Sequence, residues 1–589
     1  MDLTTPPPPL TTPQRSVFWI LTVACALSRL LARSRTLWEW DEVLFCLGLR
    51  DYDVALHHPH PPGFPLYVGL AKLLRPLVDS DFHAYQWINL FAAALVFPAI
   101  FLLARELRFR VSTSMIASLL FAFFPNVWYF GGTAFSDIPS IVLVVFAVVF
   151  LLRGGRSTRD YYIGTVLLAL AAGIRSQNLL VGLVPGLLAS RQRKPREVIA
   201  AAALGFVILA VTYGIAIEAT GSMARYQKSV TEHADYISRI DSFRSPARPA
   251  LWRIFDRFFF KQYQMPALSV IVSLLVIASV VGAIRGRDRR LLLNAGIFVP
   301  FAIFAWLMLD RYSVNRFSIG YAPMFALFAA DGIRRLVRDR QNAELAAGSL
   351  LALAFAVWTL PALSIVRNEV SPPLVAVEKL RATFDPQHEE LFVGHSMTTF
   401  MDYLAPELRY TRVLDDRALP AGDVVRTPRL LAEVTEVPEG ELFTREHGHL
   451  WNIARRLYFE IALKPLKESV RFGSGWYGAE NGQRWSAAHS IAELPMRSGP
   501  TVLRLDLEIP RELVPMRPVI TIKVNGVVAA RIVASDGRIE RSIKLVPAIA
   551  AANTLEIFCS RSINPARAGT GEDRRNLAFL LRAISWGPT

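Results

Sequence analysis

The sequence predicts an α-helical polytopic membrane domain followed by an external α/β region and a β-sandwich. Hydrophobic residues make up 52% of the 589 residues, charged residues only 19%, and the mean hydropathy is +0.32. This composition is too apolar for an ordinary soluble protein. Apolar runs fill residues 16–366 and become sparse after residue 370, and beyond residue 470 apolar and polar residues alternate as they do in strands.

The apolar part holds enough length for about eleven spans, because a membrane-spanning helix needs about 20 apolar residues. Residues 1–15 are rich in Thr and Pro, so we expect them to be disordered. No small-residue cleavage site follows 16–32, which favours an uncleaved first helix over a signal peptide. Further spans are predicted near 86–104, 112–130, 138–152, 160–173, 177–190, 198–217, 265–284, 291–309, 317–333 and 344–364.

Arginine clusters occupy every second connection between these segments, at 105–110, 153–159, 191–196, 285–290 and 334–340. The positive-inside rule places all five in the cytoplasm and the intervening loops outside, together with the chain after residue 366. The formal charge of +16 therefore reflects membrane topology, and no nucleic-acid binding is expected. The same alternation requires the apolar stretch 64–78 to lie along the outer interface instead of crossing the membrane.

Ionisable side chains collect at the predicted outer ends of the spans, where such groups are costly and usually functional. Asp41 and Glu42 lie in the first external loop, before a stretch that holds three histidines and several prolines. Asp137 opens a later span, where capping the helix N-terminus is the structural alternative. The other members of this group are His58, His60, Arg175, His233, Asp235, Arg311, Arg316 and Tyr321.

Three motifs resemble the GT-C superfamily of lipid-linked-sugar glycosyltransferases. They are Trp40-Asp41-Glu42, the stretch HPPGFPLY at 60–67, and Ser136-Asp137-Ile138-Pro139. The similarity is greatest to the protein O-mannosyltransferases, their bacterial homologues and the lipid A aminoarabinose transferase, and it covers residues 16–366. It implies an acidic pair in the first external loop, an interfacial helix that carries the HPP motif, and an acidic residue at the outer end of a later span.

The resemblance implies an inverting transfer of a sugar from a polyprenyl phosphate to a hydroxyl of a glycan, protein or lipid at the outer face. The acceptor needs a general base, for which Asp41 is our choice, and Glu42 and Asp137 could orient the acceptor. Direct displacement needs no carboxylate nucleophile. The departing phosphate needs positive charge or hydrogen-bond donors, and the candidates are His58, His60, Arg175, Arg311 and Arg316.

The sequence demands no cofactor, but a divalent metal stays open. Glu42 and His233 have suitable ligand atoms, and His233 lies where some relatives have a metal-binding or phosphate-contacting histidine. The spacing of these residues does not require a metal. The three cysteines show no metal-ligand spacing and no disulfide framework.

The last third of the chain is predicted to form two external regions. Residues 367–469 mix strand-like runs with helical stretches such as 448–463, which indicates a small α/β region. Residues 470–589 predict a carbohydrate-binding-like β-sandwich, since alternating runs such as 502–509 accompany the hairpin turn Asn525-Gly526. An aromatic sugar-binding platform or a packed core would both account for Trp476, Tyr477 and Trp485.

Two other functions compete with the transferase. A transporter or flippase of a lipid-linked sugar should have inverted repeats with interrupted helices in matching halves. The sequence shows no such symmetry, and its acidic residues cluster at one predicted face. An inactive relative that uses its sandwich as a receptor would have no need of the intact pair Asp41 and Glu42.

Overall fold

The structure is a computed structural model that describes residues 5–245, 249–263, 265–309, 314–387, 389–413, 427–433, 441–445, 460–465, 470–480, 483–494, 500–545 and 553–588. The described residues form two compact units. The first holds those of Met1–Ser371 and Arg445–Phe459, and the second holds those of Pro372–Thr444 and Glu460–Thr589.

The first unit is helical, and the chain is an integral membrane protein. Five stretches among the described residues are long and apolar enough to cross a membrane: Asp81–Glu106, Pro195–Ala219, Pro266–Gly286, Arg289–Met308 and Gln341–Thr383. The helices are α1 (Thr12–Leu31), α2 (Trp40–Arg50), α3 (Pro65–Leu74), α4 (Asp81–Ala94), α5 (Val96–Glu106), α6 (Val111–Phe123), α7 (Pro125–Phe130), α8 (Asp137–Gly154), α9 (Thr158–Ile174), α10 (Leu179–Ser190), α11 (Pro195–Ala219), α12 (Met223–Ile240), α13 (Leu251–Phe259), α14 (Pro266–Gly286), α15 (Arg289–Met308), α16 (Val314–Phe317), α17 (Ala322–Leu336) and α18 (Gln341–Asn368).

Three apolar segments that the sequence analysis treats as single spans are interrupted. The segment 86–104 is shared by α4 and α5, which separate at Leu95, and the segment 112–130 is shared by α6 and α7, which separate at Phe124. Pro125 begins α7, as expected for a residue that lacks the N–H of a continuing helix. The segment 317–333 begins with the short α16 and a 3₁₀ turn before α17. Hydropathy did not reveal the breaks at Leu95 and Phe124 because these two residues are apolar, as the segments around them are.

The five arginine clusters lie close to one another in the first unit, at the same end of the helices. Each cluster contacts another through a side-chain hydrogen bond or ion pair. Such contacts are expected if all five clusters lie on one side of the membrane, as the sequence predicts. These contacts are Arg153 to Glu106 at 2.7 Å, Arg193 to the Gly155 carbonyl at 2.7 Å, Arg110 to Asp339 at 3.3 Å, and Arg290 to the Arg108 carbonyl at 3.3 Å.

The HPP motif ends in a helix that is too short to cross a membrane. Helix α3 has ten residues, which is about 15 Å at 1.5 Å per residue, whereas a bilayer core is about 30 Å thick. Pro65 occupies its first turn, and Phe64 precedes it in the left-handed conformation with φ 48°. This length agrees with the prediction that residues 64–78 do not form a span.

The second unit begins with α19 (Pro372–Thr383) and α20 (His395–Leu404) beside a mixed five-stranded sheet of order β2-β1-β3-β5-β4. Strand β1 runs parallel to β2 and β3, and β5 runs antiparallel to β3 and β4. The predicted helix 448–463 falls outside the described residues up to 459, and residues 460–463 instead belong to β5. The strands are β1 (Glu389–Gly394), β2 (Thr411–Val413), β3 (Thr427–Glu433), β4 (Glu441–Thr444) and β5 (Glu460–Pro465).

Two further five-stranded sheets follow, of order β13-β10-β15-β8-β7 and β12-β11-β14-β9-β6, and they contribute to one apolar core. Asn525 and Gly526 have φ of 51° and 79° and join two strands, so the predicted hairpin turn is confirmed. A short helix, α21 (Pro565–Ala568), precedes the last strand. The strands are β6 (Arg471–Phe472), β7 (Trp476–Glu480), β8 (Gln483–Ser486), β9 (His489–Leu494), β10 (Thr501–Glu508), β11 (Val519–Val524), β12 (Val527–Val533), β13 (Arg538–Leu545), β14 (Asn553–Cys559) and β15 (Phe579–Pro588).

Gly63 in the HPP motif is a point where the loop requires glycine. Its φ is +99°, and a Cβ atom there would lie 2.4 Å from the Tyr52 hydroxyl oxygen. We therefore expect Gly63→Ala to lower the apparent melting temperature of the purified protein, since a left-handed non-glycine residue costs about 1–2 kcal/mol before the clash is counted. Gly69→Ala is the control, because a Cβ at this exposed position in α3 meets no atom within 4 Å. Equal melting temperatures for the two variants would contradict this account.

Candidate active site

Asp41 lies in the first turn of α2, where its neighbours Glu39 and Glu42 cap the helix N-terminus. Its side chain is 22% exposed and forms an ion pair with Arg316 through Asp41 Oδ2 and Arg316 Nη1. Asp41 is therefore a carboxylate that solvent or a substrate can still reach, although it already has a cationic partner.

Glu42 is adjacent in sequence but has a different environment. Its carboxylate accepts backbone N–H groups from Trp38 at 2.6 Å, Glu39 at 3.1 Å and Ala134 at 3.0 Å, and its side chain is fully buried. Burial raises the pKa of Glu42 to about 7, against the three N–H groups, which lower it. Both oxygens are engaged in joining α2 to the loop before Asp137, so the geometry favours a structural role over the acceptor-orienting role considered from the sequence.

Asp137 is the first residue of α8, and its carboxylate faces two arginines. Arg175 Nη1 lies 3.1 Å from Asp137 Oδ1, and Arg316 Nε lies 3.8 Å from Asp137 Oδ2. Arg175 Nη1 also donates to the Ser136 hydroxyl at 3.0 Å. The helix-capping alternative does not apply, because Ser136 occupies the N-cap position and no side chain makes a capping hydrogen bond there. Asp137 instead holds guanidinium groups that come from two distant segments.

Aromatic rings surround the two guanidinium groups. The Arg175 guanidinium carbon lies 5.6 Å from the Phe64 ring centre and 5.9 Å from that of Phe317. The Arg316 guanidinium carbon lies 5.0 Å from the Phe135 ring centre and 4.9 Å from that of Phe317. Ring faces attract cations without competing for their hydrogen-bond donors. The rings therefore help to fix the orientation of both guanidiniums without occupying their N–H donors.

The histidines of the HPP loop lie beside this charge cluster. The His60 ring centre is 4.9 Å from that of Phe64 and 5.8 Å from that of His233, and the His57 ring centre is 5.9 Å from that of His233. Burial, with His233 and both arginines, lowers the pKa of His60 to about 3, while Asp41 opposes the shift. His60 is therefore neutral near pH 7, and any contact it makes with a phosphate is a hydrogen bond without ionic attraction.

Helix α12 fixes the loop from the other side. Tyr226 donates to the Pro62 carbonyl at 2.9 Å, Ser229 donates to the Val54 carbonyl at 3.0 Å, and Arg225 pairs with Asp53 at 2.5 Å. These contacts bring His233 to the histidines of the loop. His58 lies apart from the arginine cluster, with its Nδ1 atom 4.0 Å from Asp51 Oδ2.

The residues considered for a metal do not fit one in this arrangement. The Glu42 oxygens are engaged by backbone N–H groups, so they are not available to a metal ion. No three His, Cys, Asp or Glu side chains among the described residues are grouped to hold a metal ion. Arg311, which the sequence analysis selects as a phosphate ligand, lies outside the described residues.

In the second unit, the three aromatic residues proposed as a sugar platform have different surroundings. Trp476 packs on the apolar core, with its ring centre 5.1 Å from that of Phe472 and 5.7 Å from that of Phe579. Tyr477 donates to the Asn576 carbonyl at 3.1 Å. Trp485 is half-buried between two buried residues of β8. Core packing thus accounts for Trp476, and a platform stays a prediction for Tyr477 and Trp485.

Buried amides that the sequence analysis did not select hold the loops of the site. Gln86 donates to the Gly132 carbonyl at 2.9 Å, and Asn89 donates to the Thr133 carbonyl at 2.8 Å, which fixes the loop before Asp137. Asn126 donates to the Asn315 carbonyl at 2.9 Å, beside Arg316. These residues could have been identified from the sequence as side-chain amides within apolar segments. Burying an amide is costly unless it forms hydrogen bonds, so such an amide indicates a structural contact.

Glu42→Gln tests the structural role of this carboxylate. Glutamine keeps one acceptor oxygen and replaces the other with a donor that faces a backbone N–H, so we expect a lower melting temperature and a loss of about 1–3 kcal/mol in stability. Thermal unfolding of the purified protein measures the change. The matched control is Glu232→Gln, because Glu232 is an exposed residue of α12. A variant as stable as this control would show that the three N–H contacts contribute little.

His60 should make the stability depend on pH. Its folded-state pKa of about 3 lies below the ordinary value near 6.5, so between these values the unfolded chain binds a proton that the folded chain does not. Stability is therefore lost as the pH falls below about 6.5. We expect His60→Gln to lose less melting temperature than wild type between pH 7.5 and 5. His83→Gln, near the protein surface, is the control, and the idea fails if wild type and His60→Gln have parallel pH profiles.

No family model and no curated protein matches the sequence. Solved structures that are similar include ArnT from Cupriavidus metallidurans bound to undecaprenyl phosphate, with TM-score 0.48, 11% identity, and coverage of 77% of this chain and 98% of that chain. The arabinofuranosyltransferase AftD from Mycobacteria gives TM-score 0.45 and 10% identity, over 99% of this chain and 59% of that chain. ArnT, the lipid A aminoarabinose transferase, and AftD are both GT-C glycosyltransferases.

Proposed function

We propose that this chain is an inverting glycosyltransferase that moves a sugar from a polyprenyl-phosphate donor to an acceptor hydroxyl at the outer face of the membrane. The observation that carries the proposal is the position of the Arg316 guanidinium between Asp41 and Asp137, with Arg175 on the far side of Asp137. Such a transfer needs one general base and fixed positive charge for the leaving group. The cluster contains both.

Asp41 is the general base. Its side chain is the most exposed of the three site carboxylates, at 22%, whereas that of Asp137 is 6% exposed and that of Glu42 is fully buried. A base must come within hydrogen-bond reach of the proton that it removes. The acceptor hydroxyl therefore approaches Asp41, and Asp137 positions the arginines.

Arg175 and Arg316 bind the donor phosphate. A guanidinium presents several N–H donors in a plane and stays charged, which suits phosphate oxygens. Asp137 and the aromatic rings fix both groups in advance, so they need not reorganise as the bond breaks. Because His60 is neutral, we assign the positive charge to the arginines and leave His60 as a neighbour that can donate one hydrogen bond.

The ion pair between Asp41 and Arg316 couples the two halves of the reaction. A polyprenyl-phosphate sugar is a phosphodiester with one negative charge, and the phosphate monoester that departs gains a second as the sugar–oxygen bond breaks. Asp41 becomes neutral when it takes the acceptor proton, which weakens its attraction to Arg316. The guanidinium then interacts more strongly with the phosphate as the negative charge there grows, so the stabilisation increases toward the transition state.

The same arrangement supports inversion. A retaining transfer would need a second carboxylate as nucleophile at the sugar carbon. Asp137 is buried and turned toward two guanidiniums, so it is poorly placed for that attack. One displacement by the acceptor oxygen, assisted by Asp41, uses the groups of the site as they stand. A glycan, protein or lipid hydroxyl would serve as acceptor.

The test compares wild type and Asp41→Asn in sugar transfer. Full-length protein in lipid nanodiscs is supplied with radiolabelled undecaprenyl-phosphate sugars and, in turn, with glycan, protein and lipid acceptors, and the release of undecaprenyl phosphate is measured. We expect Asp41→Asn to lower turnover about 10²–10⁴-fold, the usual contribution of a general base, while it still binds undecaprenyl phosphate. Arg316→Gln is expected to weaken that binding.

Glu232→Gln is the matched control, since Glu232 is an exposed carboxylate on α12. Its turnover should equal that of wild type. Equal turnover in Asp41→Asn and wild type would remove Asp41 as the base. If the same protein in lipid vesicles moved the labelled lipid from one leaflet to the other without any sugar release, the result would instead indicate a transporter.

A further inference from the structure

A second, strongly cationic cleft lies in the first unit, far from Asp41. It has a volume of about 580 Å³, and three separate connections form it: the turn between α5 and α6, the turn between α14 and α15, and the end of α17. Helix α17 starts near Arg316 and ends at the cleft, and its 15 residues span about 22 Å. The residues that line the cleft are Arg108, Gly286, Arg287, Asp288, Arg289, Arg290, Arg334 and Arg335.

The arginines exceed the carboxylates that neutralise them. Asp288 pairs with Arg290 at 2.6 Å and with Arg335 at 3.0 Å. Asp331 pairs with Arg334 at 2.8 Å and with Arg335 at 2.5 Å, and Asp339 pairs with Arg334 at 2.7 Å. Six guanidiniums thus face three carboxylates, which leaves an excess of three positive charges among the described residues. The ion pairs also hold three of the guanidiniums in place, as a preformed anion site requires.

Two of the arginines adopt a backbone conformation that glycine or asparagine adopts more easily. Arg108 has φ 68° and Arg287 has φ 47°, in the left-handed region that non-glycine residues seldom adopt. Both residues follow the end of a helix, where the left-handed conformation is common, and Arg338, which does not line the cleft, shares it with φ 53°. Arg287 and Arg289 are exposed at the mouth of the cleft.

Apolar side chains extend from the same helices close to the cleft. Ile284 near the end of α14 is 72% exposed, Leu292 in the first turn of α15 is 73% exposed, and Leu336 at the end of α17 is 63% exposed. A soluble phosphate would gain nothing from these neighbours. A lipid would place its phosphate among the guanidiniums and its acyl chains against the apolar side chains.

We propose that this cleft binds the phosphate headgroup of an anionic phospholipid. The guanidiniums supply charge-assisted hydrogen bonds to the phosphate oxygens, and the exposed ends of α14, α15 and α17 receive the chains. The site is separate from the proposed transferase centre, and it does not depend on that function.

The experiment measures lipid adducts of the full-length protein in detergent by native mass spectrometry, with phosphatidylglycerol as the probe. Arg287→Gln/Arg289→Gln removes two exposed guanidiniums of the cleft. Arg338→Gln/Arg340→Gln removes two exposed arginines at the same end that do not line it. We expect the first variant to bind the first phosphatidylglycerol about tenfold more weakly, and the second to bind it as wild type does. Melting temperatures without lipid show that both variants are folded.

A zwitterionic lipid, phosphatidylcholine, and inorganic phosphate complete the test. Phosphatidylcholine should form fewer adducts than phosphatidylglycerol, and inorganic phosphate should compete poorly with either. Equal weakening in the two double variants would mean that the arginines act only as a diffuse positive charge, and would overturn the proposal. Equal affinity for phosphatidylcholine would overturn the requirement for an anionic headgroup, and efficient competition by inorganic phosphate would overturn the assignment to a lipid.

Discussion

The geometry of the site depends on the buried carboxylate of Glu42. It binds N–H groups of the two residues that precede α2 and the N–H of Ala134, which is 92 residues further along the chain. A buried carboxylate is stable only where donors replace the water that it has lost, so α2 and the loop before Asp137 cannot separate without leaving it unsatisfied. This contact holds Asp41, the residue before Glu42 on α2, close to the Asp137 cluster.

Once these segments are joined, charge balance sets the rest of the cluster. The carboxylates of Asp41 and Asp137 would repel each other at the end of an apolar helix bundle if no cation lay between them. Arg175 and Arg316 relieve that repulsion, and burial of two such pairs is tolerable because each guanidinium also has an aromatic face or a hydroxyl beside it. The resulting cluster is close to neutral, and an arriving phosphate must compete with Asp41 for Arg316.

The sequence predicted which segments meet but not what each side chain does. The motifs at 40–42, 60–67 and 136–139 identified the loops of the site. The arginine clusters predicted that these loops lie together at the other end of the helices. Asp41 and Glu42 could not be told apart, because adjacent residues on a helix point about 100° apart and the partner of Glu42 is distant in sequence. Among the arginines, Arg316 was one candidate of several, since it lies in the short helix α16, which a 3₁₀ turn separates from α17, and its partners Asp41 and Asp137 are distant in sequence.

The two charged sites of the first unit follow opposite electrostatic designs, and the difference bears on what each can do. At the Asp41 site positive and negative groups are nearly equal in number, so a bound anion changes the pairing within the site and can alter the basicity of Asp41. At the arginine cleft positive charge is in excess, so an anion is held without displacing an internal partner. Balanced charge suits a step in which protons and phosphate move together, whereas excess charge suits a ligand that stays bound.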